Sequence, residues 1–193
     1  RRYLEGRQSS VDTKQALGAL DIEKEWKSAR QTKTLKSVLA VLQKMMGKRE
    51  RCMYCVDSHG ADIEHFRPKA RYPQHAFQWA NLLLCCTECG RLKGSQFPML
   101  GDQPLLIDPC AEDPWLHLDF DPDTGNLTAR FDIRANDWST KGSKTVEVFM
   151  LDQREAVAAG YQAGFRRLSA VVRSALAKDV INEQALFDEL NQA

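Results

Sequence analysis

The chain has 193 residues, which is enough for one compact domain with helical extensions. Lysine and arginine total 27 against 26 aspartates and glutamates, so no strong overall charge attracts the protein to nucleic acid. No apolar run reaches the roughly 18 residues needed to cross a membrane, and Arg1–Arg7 lacks the apolar core of a signal peptide. We therefore expect a single cytoplasmic domain over residues 1–193.

Residues 1–50 have the character of N-terminal helices. Between Asp12 and Gln31 the apolar residues fall irregularly among charges, which predicts one helix of modest amphipathicity. Apolar residues then recur every three or four positions over residues 33–46, and Gly47 follows as a C-cap. The second segment is predicted to be a helix.

Four of the six cysteines form two C-x-x-C pairs with thirty residues between them. In a reducing compartment this spacing favours a metal over disulfides, because four thiolates can surround zinc as a tetrahedron. Such a site has no open position, so its zinc would be structural. Incidental core cysteines or a redox pair are the alternative. The predicted ligands are Cys52, Cys55, Cys86 and Cys89.

The two remaining cysteines do not fit this spacing. Cys85 neighbours Cys86, but only Cys86 has the C-x-x-C spacing to Cys89. Cys85 and Cys110 are therefore predicted to be small buried hydrophobic residues.

The segment between the cysteine pairs contains an acid next to a histidine, Glu64 and His65, and later Asn81. Metal-assisted phosphodiester hydrolysis needs a base, a cation and cationic groups that place the phosphate. An imidazole with a pKa near 6.5 suits the base, although a lone histidine can also be structural. Asn81 could equally be an ordinary loop or cap asparagine.

Residues 51–135 are predicted to form the core with a β-hairpin, and residues 136–193 C-terminal helices. Two alternating runs, 116–120 and 127–131, flank a turn-rich sequence and indicate the hairpin. Three helical segments follow, over 141–151, 153–178 and 182–190.

The order of these features resembles the HNH, or ββα-metal, nuclease family: C-x-x-C, an acid–His pair, Asn-Leu, then C-x-x-C-Asn-x-x-Lys. The residues of these motifs are most similar to those of the HNH nuclease subunit, PtuB, of Septu-type anti-phage systems, which also occurs beside some retrons. The resemblance is close over residues 50–120. The segments that carry it are Cys52–Cys55, Ile63–Lys69, Trp79–Leu84, Lys93–Pro98 and Leu105–Pro109.

The resemblance implies an α+β fold, with a zinc-stabilised ββα-metal core, a small β-hairpin and flanking N- and C-terminal helices. It implies that His65 is the general base at the end of the first strand, and that Glu64 binds a catalytic Mg²⁺ or Mn²⁺. Asn81 would bond the hairpin backbone and orient His65. The predicted phosphate-binding residues are Arg91 and Lys93, for which solvated surface charges are the alternative. Arg67 and Lys69 are added as local basic groups that could line one approach to the site.

Gly90 departs from the family pattern, because a metal-binding His or Asn usually follows the last cysteine. Water could complete the metal shell, Glu88 or Asp108 could reach in, or a DNA phosphate could complete a weak site. Loss of activity is the fourth possibility.

The resemblance further implies an endonuclease that cuts nucleic acid, DNA in the first place, as the effector of an anti-phage defence complex. Its implied partners are a PtuA-like ATPase subunit and, in retron-linked systems, a reverse transcriptase with its reverse-transcribed nucleic acid. No membrane partner is expected. The alternative function is a non-catalytic, zinc-dependent module that binds nucleic acid or a protein partner on a degenerate HNH scaffold.

Overall fold

The computed structural model describes residues 2–177 and 182–192, and over these residues the fold mixes α-helices with short β-strands, as predicted. The helices are α1 (Arg2–Ala16), α2 (Ile22–Arg30), α3 (Lys33–Met45), α4 (Thr87–Lys93), α5 (Thr140–Phe149), α6 (Glu155–Leu176) and α7 (Glu183–Gln192). The strands are β1 (Asp62–His65), β2 (Leu82–Cys85), β3 (Met99–Leu100), β4 (Gln103–Pro104), β5 (Leu118–Phe120), β6 (Leu127–Ala129), β7 (Phe131–Asp132) and β8 (Asp137–Trp138). Single 3-10 turns occur at Gly47–Arg49, Pro73–His75, Trp79–Asn81 and Pro114–Leu116.

The strands pair in chain order as four separate antiparallel ribbons. The longest ribbon joins β1 to β2, with Asp62 opposite Cys85 and His65 opposite Leu82. Helix α4 follows β2 after one residue, which places a β-β-α unit in the centre of the chain. All four residues of β2 are buried, so this ribbon is the middle of the core rather than a surface hairpin.

The prediction of one helix between Asp12 and Gln31 was wrong, because the chain breaks between α1 and α2. Gly18 has φ +66°, a left-handed conformation that ends a helix and favours glycine. The Asp21 side chain then accepts a hydrogen bond from the Lys24 amide and starts α2 as an N-cap. The apolar periodicity is too weak in this region to show the break.

The predicted helix over residues 33–46 is confirmed as α3. Thr32 caps its first turn through a bond from the Leu35 amide, and Gly47 follows the last turn at φ +71°. Leu35 and Leu42 on its inner face are almost fully buried, together with Leu83 and Leu84 of β2. The N-terminal helices therefore cover one face of the central ribbon.

The predicted hairpin is confirmed as β5 and β6, although both strands are shorter than expected. Its turn contains Gly125 at φ +80°, and a Cβ there would lie 2.3 Å from the Ala158 carbonyl oxygen. Only glycine permits both the left-handed backbone and this close approach to α6. Helix α6 is thereby packed directly on the hairpin turn.

The three C-terminal helices are also confirmed, as α5, α6 and α7. Lys178, the predicted end of the second of them, lies outside the described residues. Asn182 caps α7 by accepting a bond from the Ala185 amide at 3.0 Å. None of the described helices is long and apolar enough to cross a membrane.

Candidate functional site

The four predicted zinc ligands lie together in the core as one four-cysteine cluster, formed by Cys52, Cys55, Cys86 and Cys89. All four are buried, and their sulfur atoms lie within 4.8 Å of one another. Tetrahedral zinc with Zn–S bonds of about 2.3 Å places its sulfurs about 3.8 Å apart. The Cys55 and Cys86 sulfurs are 4.0 Å apart, which is close to that spacing. The cluster could therefore hold a metal such as zinc.

Local backbone turns aim these sulfurs at one point. The Val56 amide donates to the Cys52 carbonyl at 2.9 Å, and Val56 has φ +48°, so the first pair sits in a tight turn. Cys86 is the N-cap of α4, and its sulfur accepts from the Cys89 amide at 3.4 Å. Each pair is held by its own backbone, as in the short zinc-binding turns of other proteins.

The two remaining cysteines differ from each other. Cys85 is buried and its thiol donates to the Cys86 carbonyl at 3.2 Å, so it lies outside the four-cysteine cluster as predicted. Cys110 is exposed, and the prediction that it is a buried hydrophobic residue was wrong. It follows an Asp-Pro pair in a surface turn, where its amide donates to the Asp108 carboxylate at 3.0 Å.

Helix α6 contacts the four-cysteine cluster, a feature that the sequence did not reveal. The Arg154 guanidinium donates to the Cys89 sulfur at 3.1 Å, and the Tyr161 hydroxyl donates to the Cys55 carbonyl. A Cβ on Gly160 would lie 2.2 Å from a carboxylate oxygen of Asp57, so the helix lies directly against the first cysteine turn. The two hydrogen bonds join residues 65 and 106 positions apart, for which no local spacing gives a signal.

His65 is the last residue of β1, and its imidazole is only 3% exposed. The ring atom Nε2 lies 2.9 Å from the Ala76 carbonyl oxygen. Because a carbonyl can only accept, Nε2 carries the proton of this bond and Nδ1 is left as the acceptor of the neutral ring. Trp26 of α2 packs edge-on against the imidazole, with ring centroids 4.3 Å apart.

Burial lowers the pKa of His65 to about 3, and the positive charges of Lys69 and Lys93 act in the same direction. The hydrogen bond to the Ala76 carbonyl raises the pKa, but its effect is smaller than that of burial. His65 is therefore neutral at physiological pH, the state in which a histidine can accept a proton.

Glu64 lies beside His65 and is held by two donors on one of its oxygens. Its Oε1 accepts from the His65 amide at 2.9 Å and from the Lys93 ammonium at 3.2 Å. Lys93 is fully buried and also donates to the His65 carbonyl at 2.7 Å. Burial lowers the pKa of Lys93, and the carboxylate of Glu64 opposes that shift. The other oxygen of Glu64, Oε2, makes no hydrogen bond to a described residue.

Asn81 fixes the loop that carries the partner of His65. Its Oδ1 accepts from the Arg67 amide at 2.7 Å, and its Nδ2 donates to the Arg67 and His75 carbonyls at 3.1 and 3.0 Å. Gln8 of α1 holds the same loop, accepting from the Phe77 amide at 2.8 Å and donating to the Pro73 carbonyl at 3.0 Å. Asn81 and Gln8 thus hold the Ala76 loop from two sides. No sequence pattern predicted the contact of Gln8.

Gly90 lies in the middle of α4 and faces Glu64. A Cβ at Gly90 would lie 3.7 Å from Glu64 Oε2, an ordinary van der Waals contact. Of the two residues considered as substitutes for the missing ligand, Glu88 is paired with Arg91 at 2.7 Å. Asp108 lines a separate cavity of about 490 Å³ together with Asn81 and Arg67. Neither substitute lines the cavity at Glu64.

Glu64 and His65 line an open cavity of about 1030 Å³ between α2 and the central ribbon, hereafter the Glu64–His65 cleft. Lys69 also lines this cleft and is paired with Glu23 at 3.0 Å. The guanidinium of Arg67 lies instead over the rings of Tyr72 and Phe97. Among the predicted phosphate-binding residues, Arg67, Arg91 and Lys93 are absent from the described lining of the cleft, and the prediction remains untested.

The fold and the site define a mixed α/β protein with a central β-β-α unit and a buried four-cysteine cluster that could hold a metal such as zinc. The chain is homologous to Septu protein PtuB. It is 34% identical over 151 residues to Septu protein PtuB of Bacillus mycoides (strain KBAB4), covering 62% of this chain and 48% of that protein. It is 29% identical over 120 residues to Septu protein PtuB of Bacillus thuringiensis, covering 60% of this chain and 40% of that protein.

The chain therefore spans about half the length or less of the curated relatives it matches. No family model matches the chain, and no solved structure gives a significant match.

Proposed function

We propose that the chain is a metal-dependent HNH endonuclease that hydrolyses phosphodiester bonds in nucleic acid, DNA in the first place. The observation that carries the proposal is the pairing of a neutral, carbonyl-anchored His65 with the carboxylate of Glu64 on one open cleft. A buried histidine with one ring nitrogen tied to the backbone presents the other as a base in a defined direction.

In this mechanism the Nδ1 atom of His65 accepts a proton from a water molecule as its oxygen attacks the phosphorus atom. The bond between Nε2 and the Ala76 carbonyl stabilises the imidazolium that forms, because a charged donor makes a stronger hydrogen bond. Asn81 and Gln8 act through Ala76 by holding its loop in place. They are positioning residues.

Glu64 Oε2 is the atom that would bind Mg²⁺ or Mn²⁺, which prefer carboxylate oxygen. The donor set fits a site with few protein ligands, because Mg²⁺ is commonly held by one or two carboxylates together with substrate phosphate and water. When bound, the ion would polarise the phosphate and stabilise charge on the leaving oxygen. Gly90 leaves space beside Oε2 for water or a phosphate oxygen.

We assign zinc to the four-cysteine cluster as a structural ion, since four thiolates complete its shell. The proposal takes residues 1–193 as a single domain, with the N- and C-terminal helices arranged around the central unit. We further propose a cytoplasmic role in Septu-type anti-phage defence beside a PtuA-like ATPase, on the strength of the two relatives. A reverse transcriptase and its reverse-transcribed nucleic acid would join only in a retron-linked system.

A second candidate function has its own support. The ammonium of Lys93 is already bonded to Glu64, and Gly90 supplies no ligand, so the site has fewer metal-binding groups than the family pattern. This arrangement favours a non-catalytic, zinc-dependent module that binds nucleic acid or a protein partner. In this second candidate function the four-cysteine cluster and the fold are unchanged, but His65 is a structural residue.

A plasmid-nicking assay with Mg²⁺ or Mn²⁺ separates the two candidates. The wild type is compared with His65→Ala, in the presence and absence of the ATPase partner. The matched control is His59→Ala, which removes a histidine whose side chain is 61% exposed and lies 3.8 Å from Glu50. Removing a general base lowers the rate roughly 100- to 10,000-fold, whereas the control should cut like the wild type.

Equal cleavage by His65→Ala and the wild type would reject His65 as the base. Absence of cleavage by the wild type under every condition would favour the non-catalytic module.

A further inference from the structure

Helix α2 forms the wall of the Glu64–His65 cleft that faces the central ribbon, although it lies outside the motif segment. Two of its residues, Lys24 and Lys27, line the same cavity as Glu64 and His65. Both lysines are exposed, and they are three residues apart, so their side chains project from neighbouring turns of one face. Glu23 and Arg30 of the same helix also line the cavity, but both are paired with residues outside α2.

The other positive charges of the cleft are already paired. Arg30 binds Asp62 at 2.8 Å, and Lys69 binds Glu23 at 3.0 Å. Lys93 does not line the cavity, and it binds Glu64 at 3.2 Å. Among the described residues that line the cleft, Lys24 and Lys27 are therefore the cationic side chains without an ion-pair partner.

Helix α2 is also held firmly in this position. Trp26 is 5% exposed and packs against the His65 ring and the Phe77 ring. At the end of the helix, one nitrogen of Arg30 donates to both carboxylate oxygens of Asp62 at 2.8 Å. The lysines thus stand at a set place relative to His65 instead of on a loose surface segment.

We propose that Lys24 and Lys27 form a phosphate-binding subsite that holds the nucleic-acid strand beside the bond to be cut. The inference rests on the proposed function, because the strand is placed by reference to His65. Two cations on adjacent helical turns suit successive phosphates of one strand. An acidic peptide would meet the same two lysines, so the binding of labelled polyglutamate is measured beside that of DNA.

The test measures binding rather than cleavage. Fluorescence anisotropy follows a short fluorescein-labelled DNA duplex and the matching single strand, with His65→Ala as the parent so that no substrate is consumed. The same comparison in wild-type protein without added Mg²⁺ guards against a folding defect in that parent. The double variant Lys24→Gln/Lys27→Gln is compared with Lys33→Gln/Lys36→Gln. The control removes two exposed lysines of the same spacing on α3 that do not line the cleft.

Loss of two phosphate contacts should weaken binding roughly 10- to 60-fold at low salt, and should lower the slope of log affinity against log salt by about 1.4 to 1.8. The α3 control should bind like its parent. Equal binding by both double variants, or a parent that binds no nucleic acid, would overturn the subsite. So would a loss confined to polyglutamate, which would assign the lysines to an acidic protein.

The two proposals fail separately. If the wild type cuts normally and Lys24→Gln/Lys27→Gln binds DNA as tightly as its parent, the subsite proposal is rejected and the nuclease proposal stands. If DNA binding depends on Lys24 and Lys27 but the wild type never cuts DNA, the nuclease proposal is rejected and the two lysines remain a phosphate-binding site.

Discussion

The four-cysteine cluster and the Glu64–His65 cleft both adjoin the central ribbon, yet they are built in opposite ways. The cluster is buried and closed, with four equivalent ligands around one point. The cleft is open, and its Glu64 carboxylate has a lysine on one oxygen and a glycine facing the other. A closed shell suits a stabilising ion, whereas an incomplete one leaves room for a substrate.

Helix α4 connects the two regions. It begins at Cys86 in the four-cysteine cluster and ends at Lys93, whose ammonium reaches Glu64 and the His65 carbonyl. A change at the cluster should therefore disturb the cleft, while a change at the cleft should leave the cluster intact. This asymmetry can be tested by substitution.

The largest effect is expected at the four-cysteine cluster. Cys52→Ser or Cys89→Ser should lose zinc and unfold the central region, because structural zinc sites contribute roughly 10 kcal/mol or more of apparent binding free energy to folding. Zinc content by atomic absorption and thermal unfolding by circular dichroism measure the two losses. Cys110→Ser, at an exposed position, is the control and should change neither. Unaltered zinc content in Cys89→Ser would show that the cluster is not the site.

The next largest effect is expected for Lys93→Met. The substitution removes a buried ammonium and leaves Glu64 Oε1 and the His65 carbonyl without that donor. Breaking one side of a buried ion pair costs about 3–5 kcal/mol in the free energy of unfolding, and because the Glu64 side chain is 21% exposed we expect a loss at the low end of that range. Urea denaturation measures the loss, and zinc content should stay at one ion per chain. The control is Lys36→Met, at an exposed position. If Lys93→Met lost no more unfolding free energy than this control, the ion pair would not support the fold.

A smaller effect should appear in the pH dependence of stability. The folded pKa of His65, about 3, lies below the ordinary 6.5, so the unfolded chain binds more protons between these values. His65 therefore favours the folded state fully above pH 6.5, and that contribution is lost as the pH falls toward 3. Between pH 7.5 and pH 5.0 the wild type should lose about 2 kcal/mol more than His65→Phe.

Urea denaturation of both proteins across this range makes the comparison, since the two share the same cysteines and carboxylates. Parallel stability curves would show that His65 is not buried in its neutral form.

The smallest effect is expected at Gly90. Asparagine there would place an amide oxygen near Glu64 Oε2, and the nearest atoms, at 3.7 and 3.8 Å, leave space for a Cβ. Gly90→Asn should strengthen Mn²⁺ binding about tenfold, or about 1.4 kcal/mol. Isothermal titration calorimetry measures the affinity, and Gly90→Ala separates the gain from a general change in helix stability. No gain in affinity would mean that this position does not face the ion.

The parts of the molecule that could be predicted from sequence are those with a short-range signal. Two C-x-x-C pairs identify four ligands by spacing alone, and a run of apolar residues at helical spacing identifies α3. The hairpin turn is likewise marked by its own turn-forming residues, among them Gly125 with its positive φ. In each case the interacting residues lie close together in the chain or obey a fixed repeat.

The parts that could not be predicted depend on contacts between distant segments. Trp26 of α2 packs on His65 of β1. Gln8 of α1 holds the loop of Ala76, and Arg154 bonds Cys89 from the C-terminal region. The environment of Lys93 belongs to the same class. A lysine on a short helix is ordinarily solvated, whereas this buried ammonium bonds Glu64 and the His65 carbonyl of β1, about 28 residues earlier in the chain.

The most direct test of the central claim, that Glu64 and His65 face a common phosphate, is a crystal structure with a short oligonucleotide and Mn²⁺. The account predicts an anomalous peak about 2.0–2.2 Å from Glu64 Oε2, with a phosphate oxygen in the same shell and the phosphorus on the side of His65 Nδ1. A peak elsewhere, with the oligonucleotide bound outside the cleft, would contradict the hydrolytic function.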